Sequence, residues 1–94
     1  MQKRIHCNIS GRVQLVMYRD FARRKAKRFG IVGWVKNLKD NTVELVAEGE
    51  EKDLKKYVRM LHEGPLLAEV EDVECKWWDG ATGEFTTFEI RYDK

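Results

Sequence analysis

The sequence contains few of the residues that build metal sites, no long apolar run and a single proline. It has two histidines and two cysteines, and neither histidine has a metal-ligand neighbour at the usual spacing. We therefore expect no metal site. No apolar stretch approaches the roughly 18 residues that a membrane span needs. Strand-like alternation begins directly after residues 1–4, so we expect no signal peptide, no membrane partner and a cytoplasmic location.

The two cysteines show no Cys-x-x-Cys spacing and lie far apart in the chain. Cys7 alternates with Ile5 and Ile9, which predicts a thiol in the core. A structural disulfide between Cys7 and Cys75 is poorly supported in a cytoplasmic protein, although the sequence leaves the pairing open.

Composition predicts one small globular domain over residues 1–94, which we expect to be a monomer. Apolar residues make up 43% of the chain, enough for a single core. We expect four aromatic side chains in that core: Phe21, Phe29, Trp34 and Tyr57. The net charge of +2 hides a strong polarity, because residues 1–39 carry +10 and residues 40–94 carry −8. The positive half favours attraction of small anions.

Hydrophobic periodicity and turn residues predict seven elements. They are a strand over residues 4–10, a helix over 18–29, strands over 31–37 and 42–48, a helix whose buried face carries Leu54, Tyr57, Val58 and Leu61, and strands over 69–77 and 85–91. The order β-α-β-β-α-β, with an extra C-terminal strand, is typical of the ferredoxin-like α+β sandwich. In that fold two helices cover one face of a mostly antiparallel sheet.

Residues 11–19, with the sequence GRVQLVMYR, join the first strand to the first helix. A helix start leaves backbone N–H groups without partners, and the helix dipole makes its N-terminal end positive. Arg19 adds a full charge and a planar set of donors. The segment therefore predicts a site for phosphate or another tetrahedral anion.

The sequence resembles the acylphosphatase family over essentially the whole chain. The matching residues are Gly11-Arg12-Val13-Gln14, Val16, Tyr18-Arg19, Gly30, Gly33-Trp34-Val35-Lys36-Asn37, Asp40, Val43-Glu44, Gly49, Gly64-Pro65, Ala68, Val70 and Phe88-Glu89-Ile90. Several short motifs in the right order form a specific signature.

This resemblance implies the hydrolysis of small-molecule acyl phosphates to a carboxylate and inorganic phosphate, without a metal or cofactor. It implies that Arg19 binds the phosphate and that Asn37, after the Gly-Trp-Val strand, positions the attacking water. It also implies that the backbone of the first loop binds the substrate, which here means Gln14, Leu15, Val16, Met17 and Tyr18.

One position departs from the family pattern, which normally has a second glycine where this chain has Leu15. If the loop needs a positive φ there, leucine costs about 1–2 kcal/mol. This departure favours an alternative, a non-catalytic module that binds an anion or a partner on the same scaffold.

RNA-recognition domains share the β-α-β-β-α-β order and stack bases on aromatic residues of their first and third strands. Here residues 4–9 and 42–48 contain no aromatic residue, and the second of these segments is acidic. We therefore expect no nucleic-acid partner.

Overall fold

The computed structural model describes residues 1–92, in which five strands and two helices follow the expected order. They are β1 (Gln2–Arg12), α1 (Tyr18–Arg28), β2 (Val32–Asn37), β3 (Val43–Glu50), α2 (Glu51–Glu63), β4 (Glu69–Asp79) and β5 (Phe88–Arg91). The largest difference from the predicted boundaries is in β5, which begins at Phe88 because the preceding residues 80–87 form an irregular segment.

The strands form one sheet in the order β4-β1-β3-β2-β5. All neighbouring pairs are antiparallel except β2 and β5, which run parallel. This topology confirms the predicted ferredoxin-like α+β sandwich. Neither helix within residues 1–92 has the length and apolar character needed to span a bilayer.

The core lies between the helices and one face of the sheet. Strand β1 contributes Ile5, Cys7 and Ile9, all fully buried. The helices contribute the side chains that their 3.6-residue periodicity predicts, and these include Phe21, Ala22, Ala26, Leu54, Tyr57 and Leu61. The Tyr57 hydroxyl donates a 2.8 Å hydrogen bond to the Ala22 carbonyl, which links α2 to α1 inside this core.

Trp34 does not lie in the core, so that prediction is wrong. Alternation along β2 turns Val35 toward the helices and Trp34 toward the opposite face, where it is half-buried. There the Lys36 ammonium and the Arg91 guanidinium lie 5.4 and 5.1 Å from the centre of its ring. Cation–π contacts of this kind suit a partly solvated indole.

Cys7 and Cys75 form a disulfide, which corrects the expectation of a free core thiol. The two residues face each other in the antiparallel register of β1 and β4, with Cα atoms 4.1 Å apart. Close pairs in antiparallel sheets bring side chains together. Only the strand register juxtaposes them, and spacing along the chain does not reveal it. The expectation that Cys7 is buried is confirmed.

The face of the sheet away from the helices is partly covered by the segment before β5. Glu48 points to this face, yet its side chain is only 2% exposed. It accepts hydrogen bonds from the Thr82 amide at 3.0 Å, the Thr82 hydroxyl at 2.8 Å and Arg4 at 3.1 Å. Burial alone would raise the pKa of Glu48, but these donors outweigh it and hold the pKa below its ordinary value.

A bulge at the end of β1 directs the chain into the loop before α1. The register with β4 shifts between Ser10 and Gly11, and Gly11 has a φ of 116°. A Cβ at Gly11 would collide with the backbone of Glu69, so only glycine fits this crossing. The buried side chain of Val13 then anchors the start of the loop in the core.

Candidate active site

The loop that leads into α1 has an alternating backbone. Leu15 and Met17 adopt left-handed conformations with φ values of 61° and 63°, while residues 14, 16 and 18 do not have positive φ. Alternation of this kind turns successive N–H groups toward one side and forms a concave nest for an anion. Within residues 1–92, the amides of residues 14–19 donate no hydrogen bond to another group of the chain. These six donors are therefore not used by other groups of residues 1–92.

The start of α1 adds positive potential to this nest. Met17 is the N-cap residue, and its side chain makes no capping hydrogen bond. The N-terminal dipole of α1 is therefore not offset by a side-chain cap at this point. Asp20 lies in the first turn, but it is held by Arg23 at 3.1 Å and Arg24 at 2.8 Å. The hydrogen bonds from Arg24 and Arg23 lower the pKa of Asp20, which stays ionised and paired.

Arg19 stands beside an aromatic ring from the other end of the chain. Its guanidinium lies 4.9 Å from the centre of the Tyr92 ring. No carboxylate within residues 1–92 forms a salt bridge with Arg19, in contrast to the paired arginines at positions 23 and 24. A cation–π contact of this kind uses none of the N–H donors of the guanidinium, so they remain available to an anion.

Asn37 ends β2 next to this arginine. The parallel register pairs Lys36 with Arg91, so Asn37 and Tyr92 follow at the same level on neighbouring strands. The side-chain oxygen of Asn37 is buried and has no hydrogen-bond partner among the described residues. Buried amide oxygens are nearly always satisfied by protein or water. This oxygen is therefore an unused acceptor at the site.

Arg19 and Asn37 line one cavity of about 220 Å³. Its other lining residues are Val13, Leu15, Met17, Tyr18, Asp20, Ile90 and Tyr92. An adjoining cavity of about 260 Å³ shares Arg19, Asn37 and Tyr92 and extends along Leu38 and Lys39. Five of the seven residues named from the sequence line the first cavity, which are Arg19, Asn37, Leu15, Met17 and Tyr18.

The other two, Gln14 and Val16, do not line the cavity and instead support the loop. The Gln14 amide donates to the carbonyls of Leu38 and Thr42 at 2.8 and 2.9 Å, which ties the loop to the turn between β2 and β3. Val16 packs against the core. Tyr18 also has a structural side chain, since its buried hydroxyl donates to the Leu61 carbonyl at 2.6 Å. Burial raises the pKa of Tyr18 well above its ordinary value, so it remains a neutral donor.

Four residues that line this cavity were not predicted from the sequence, namely Val13, Asp20, Ile90 and Tyr92. The signal for Tyr92 is its place directly after β5, but it becomes informative only when β5 is known to run parallel to β2.

Among residues 1–92, no cluster of three or more histidine, cysteine, aspartate or glutamate side chains is arranged to hold a metal ion.

Comparison with known proteins assigns the family. The acylphosphatase family model matches residues 5–90. An acylphosphatase of Salinibacter ruber is 43% identical over 90 residues, covering 96% of this chain and 94% of that protein. An acylphosphatase of Rubrobacter xylanophilus is 47% identical over 89 residues, covering 95% and 80%. The crystal structure of the acylphosphatase from Bacillus subtilis superposes with a TM-score of 0.92 at 32% identity, covering 96% of this chain and 99% of that one.

These matches span nearly the whole chain and include relatives far above 30% identity. They do not favour the alternative of a non-catalytic module. The chain therefore belongs to the acylphosphatase family and is an enzyme that hydrolyses acyl phosphates.

Proposed function

We propose that the amides of residues 14–19 and the Arg19 guanidinium bind the phosphoryl group, and that Asn37 orients the water that attacks it. One observation carries this proposal: Arg19, which has no carboxylate partner in residues 1–92, and Asn37, whose buried oxygen is unpartnered, line one cavity, and the loop with the unpaired amides forms part of its wall. A dianion bound there gains several charge-assisted hydrogen bonds that the free protein lacks. We call residues 14–19 the phosphate-binding loop.

Hydrolysis of an acyl phosphate requires little of the protein beyond binding the phosphoryl group and orienting a water molecule. Water attacks phosphorus in line, the bond between phosphorus and the carboxylate oxygen breaks, and the carboxylate leaves as a stable anion. No acid is needed to protonate that leaving group. The protein has to hold the phosphoryl group, balance its charge and align the water, which are the tasks assigned to the loop, Arg19 and Asn37.

The proton of the attacking water passes to a phosphate oxygen of the substrate in this proposal. Asn37 is neutral and accepts a hydrogen bond from the water without removing its proton. Asp20 also lines the cavity, but the hydrogen bonds from Arg24 and Arg23 lower its pKa and make it a poor base at neutral pH. The substrate phosphate, with its own oxygens beside the water, is the better acceptor.

Steady-state hydrolysis of benzoyl phosphate tests these roles. Arg19→Ala is expected to lower kcat/KM at least 10²–10³-fold and to abolish competitive inhibition by inorganic phosphate, because it removes a preorganised cationic donor. The matched control is Arg28→Ala, which removes the same charge from the exposed last turn of α1. Equal losses for the two variants would refute a specific role for Arg19.

Asn37→Ala is expected to act on kcat more than on KM. A misplaced water lowers the rate about 10²-fold, while the loop and Arg19 still bind the phosphate. Inhibition by inorganic phosphate should therefore persist in this variant. A large rise in KM with an unchanged kcat would show that Asn37 binds substrate and does not position the water.

Oligomeric state, location, metal dependence and nucleic-acid binding can each be tested directly. We propose that residues 1–94 act as one monomeric domain in the cytoplasm, without a metal and without nucleic acid. Sedimentation equilibrium, cell fractionation, hydrolysis in the presence of EDTA, and filter binding of single-stranded RNA at low salt test the four points in turn. A dimer, an extracytoplasmic fraction, inhibition by EDTA or saturable RNA retention would refute the corresponding one.

A further inference from the structure

The mouth of the cavity is lined by large apolar side chains that are exposed to solvent. Leu15 is 96% exposed, Met17 70% and Tyr92 71%, and all three line the same cavity as Arg19. A single exposed apolar side chain is ordinary in a folded protein, but several around one opening mark a binding surface. We call these three residues the apolar rim.

Leu15 occupies this rim in a backbone conformation that disfavours it. Its φ of 61° suits glycine, and its exposed side chain gains almost no burial energy from folding. Strained residues of this kind persist mainly where the local structure serves a function. The stability of the fold therefore does not explain why an apolar side chain lies at the opening of the cavity.

The position of the rim follows from the geometry of the substrate. In the proposed binding mode the phosphoryl oxygens face the amides of the phosphate-binding loop and the Arg19 guanidinium, which lines the cavity. The acyl group is attached to phosphorus through the remaining oxygen, so it leaves the loop toward the opening. It therefore passes the side chains of the apolar rim.

We infer that Leu15, assisted by Met17, is a specificity-determining residue that selects acyl phosphates with an apolar aryl or alkyl acyl group. This inference rests on the proposed binding of phosphate by residues 14–19 and Arg19. The apolar acyl group covers part of the exposed leucine and methionine, and both surfaces leave water. A small acyl group such as acetyl does not reach the rim far enough to gain this contact.

The test compares benzoyl phosphate with acetyl phosphate in the parent and in Leu15→Asn. Asparagine has a size close to that of leucine and tolerates the left-handed conformation, so this variant changes polarity with little change of backbone. The ratio of kcat/KM for benzoyl phosphate to that for acetyl phosphate is expected to fall about three- to tenfold. Met17→Asn should shift the ratio in the same direction.

Leu66→Asn is the matched control, because Leu66 is 97% exposed and lies outside the cavity. Its ratio should equal that of the parent. The intrinsic reactivities of the two substrates cancel when ratios are compared between variants. Inhibition by inorganic phosphate, measured in parallel, reports on the phosphate-binding loop alone.

The outcomes separate this inference from the function on which it rests. If the parent hydrolyses both substrates but Leu15→Asn leaves the ratio unchanged, the assignment of the rim is wrong while the phosphate site stands. If Leu15→Asn lowers both activities equally and weakens inhibition by phosphate, the residue supports the loop and does not select the acyl group. If Arg19→Ala matches the parent on both substrates, the phosphate site and the rim assignment fail together.

Discussion

Replacement of Leu15 by glycine should stabilise this protein, although most substitutions destabilise. The left-handed backbone at Leu15, with its φ of 61°, costs a non-glycine residue about 1–2 kcal/mol. The side chain is 96% exposed, so its removal sacrifices almost no buried apolar area. Glycine raises the entropy of the unfolded chain, which costs about 0.4–1 kcal/mol. The difference between the mid-values of these two ranges is a net stabilisation of about 0.8 kcal/mol.

Urea and thermal unfolding, with the disulfide intact in every sample, measure this effect. For a domain of this size the expected gain corresponds to a rise in Tm of about 2–8 °C. Leu66→Gly is the control, because Leu66 is equally exposed at 97% but does not have a positive φ. It should lose about 0.4–1 kcal/mol through the same entropic effect. If both variants lose stability equally, the strain assigned to Leu15 is absent.

Three other experiments test the fold. Reduction of the Cys7–Cys75 disulfide, which closes a long loop, should lower the free energy of unfolding in urea titrations by about 2–4 kcal/mol. The double variant Cys7→Ala/Cys75→Ala should show no such response to reductant. The ionised Glu48 carboxylate stabilises the fold above about pH 4.3, because its pKa is lower in the folded chain than in the unfolded chain. This contribution is lost on acidification, so the free energy of unfolding of Glu48→Gln should fall less between neutral and acidic pH than that of the parent. Tyr57→Phe should cost about 1 kcal/mol in thermal unfolding, whereas Tyr92→Phe should cost almost nothing.

The phosphate-binding loop could be predicted from the sequence because its signals are local. A strand pattern, a short connection and a helix pattern follow one another within residues 4–29. That order alone predicts unpaired amides at the start of a helix, and Arg19 adds the charge. The turn between β2 and β3 depends on local sequence too, because Asn41 has a φ of 71° and asparagine tolerates this left-handed conformation.

The roles of the Gln14 and Val16 side chains could not be predicted from the sequence. The prediction for both residues concerns their backbone amides, which remain part of the proposed site. Their side chains hold the loop to the turn after β2 and to the core. Which side of an irregular loop a side chain takes depends on its backbone dihedrals, and hydrophobic periodicity does not encode these.

The sequence by itself determined the element order, the inward face of each helix, and the short connection from β1 to a helix with Arg19 in its first turn, because each depends on residues close together in the chain. Tertiary structure alone decided the pairing of Cys7 with Cys75, the burial of Glu48 and the place of Tyr92 beside Arg19. These contacts join residues distant in the chain through strand register and the parallel pairing of β2 with β5. Register is a collective property of the packed sheet, so no local stretch of sequence carries it.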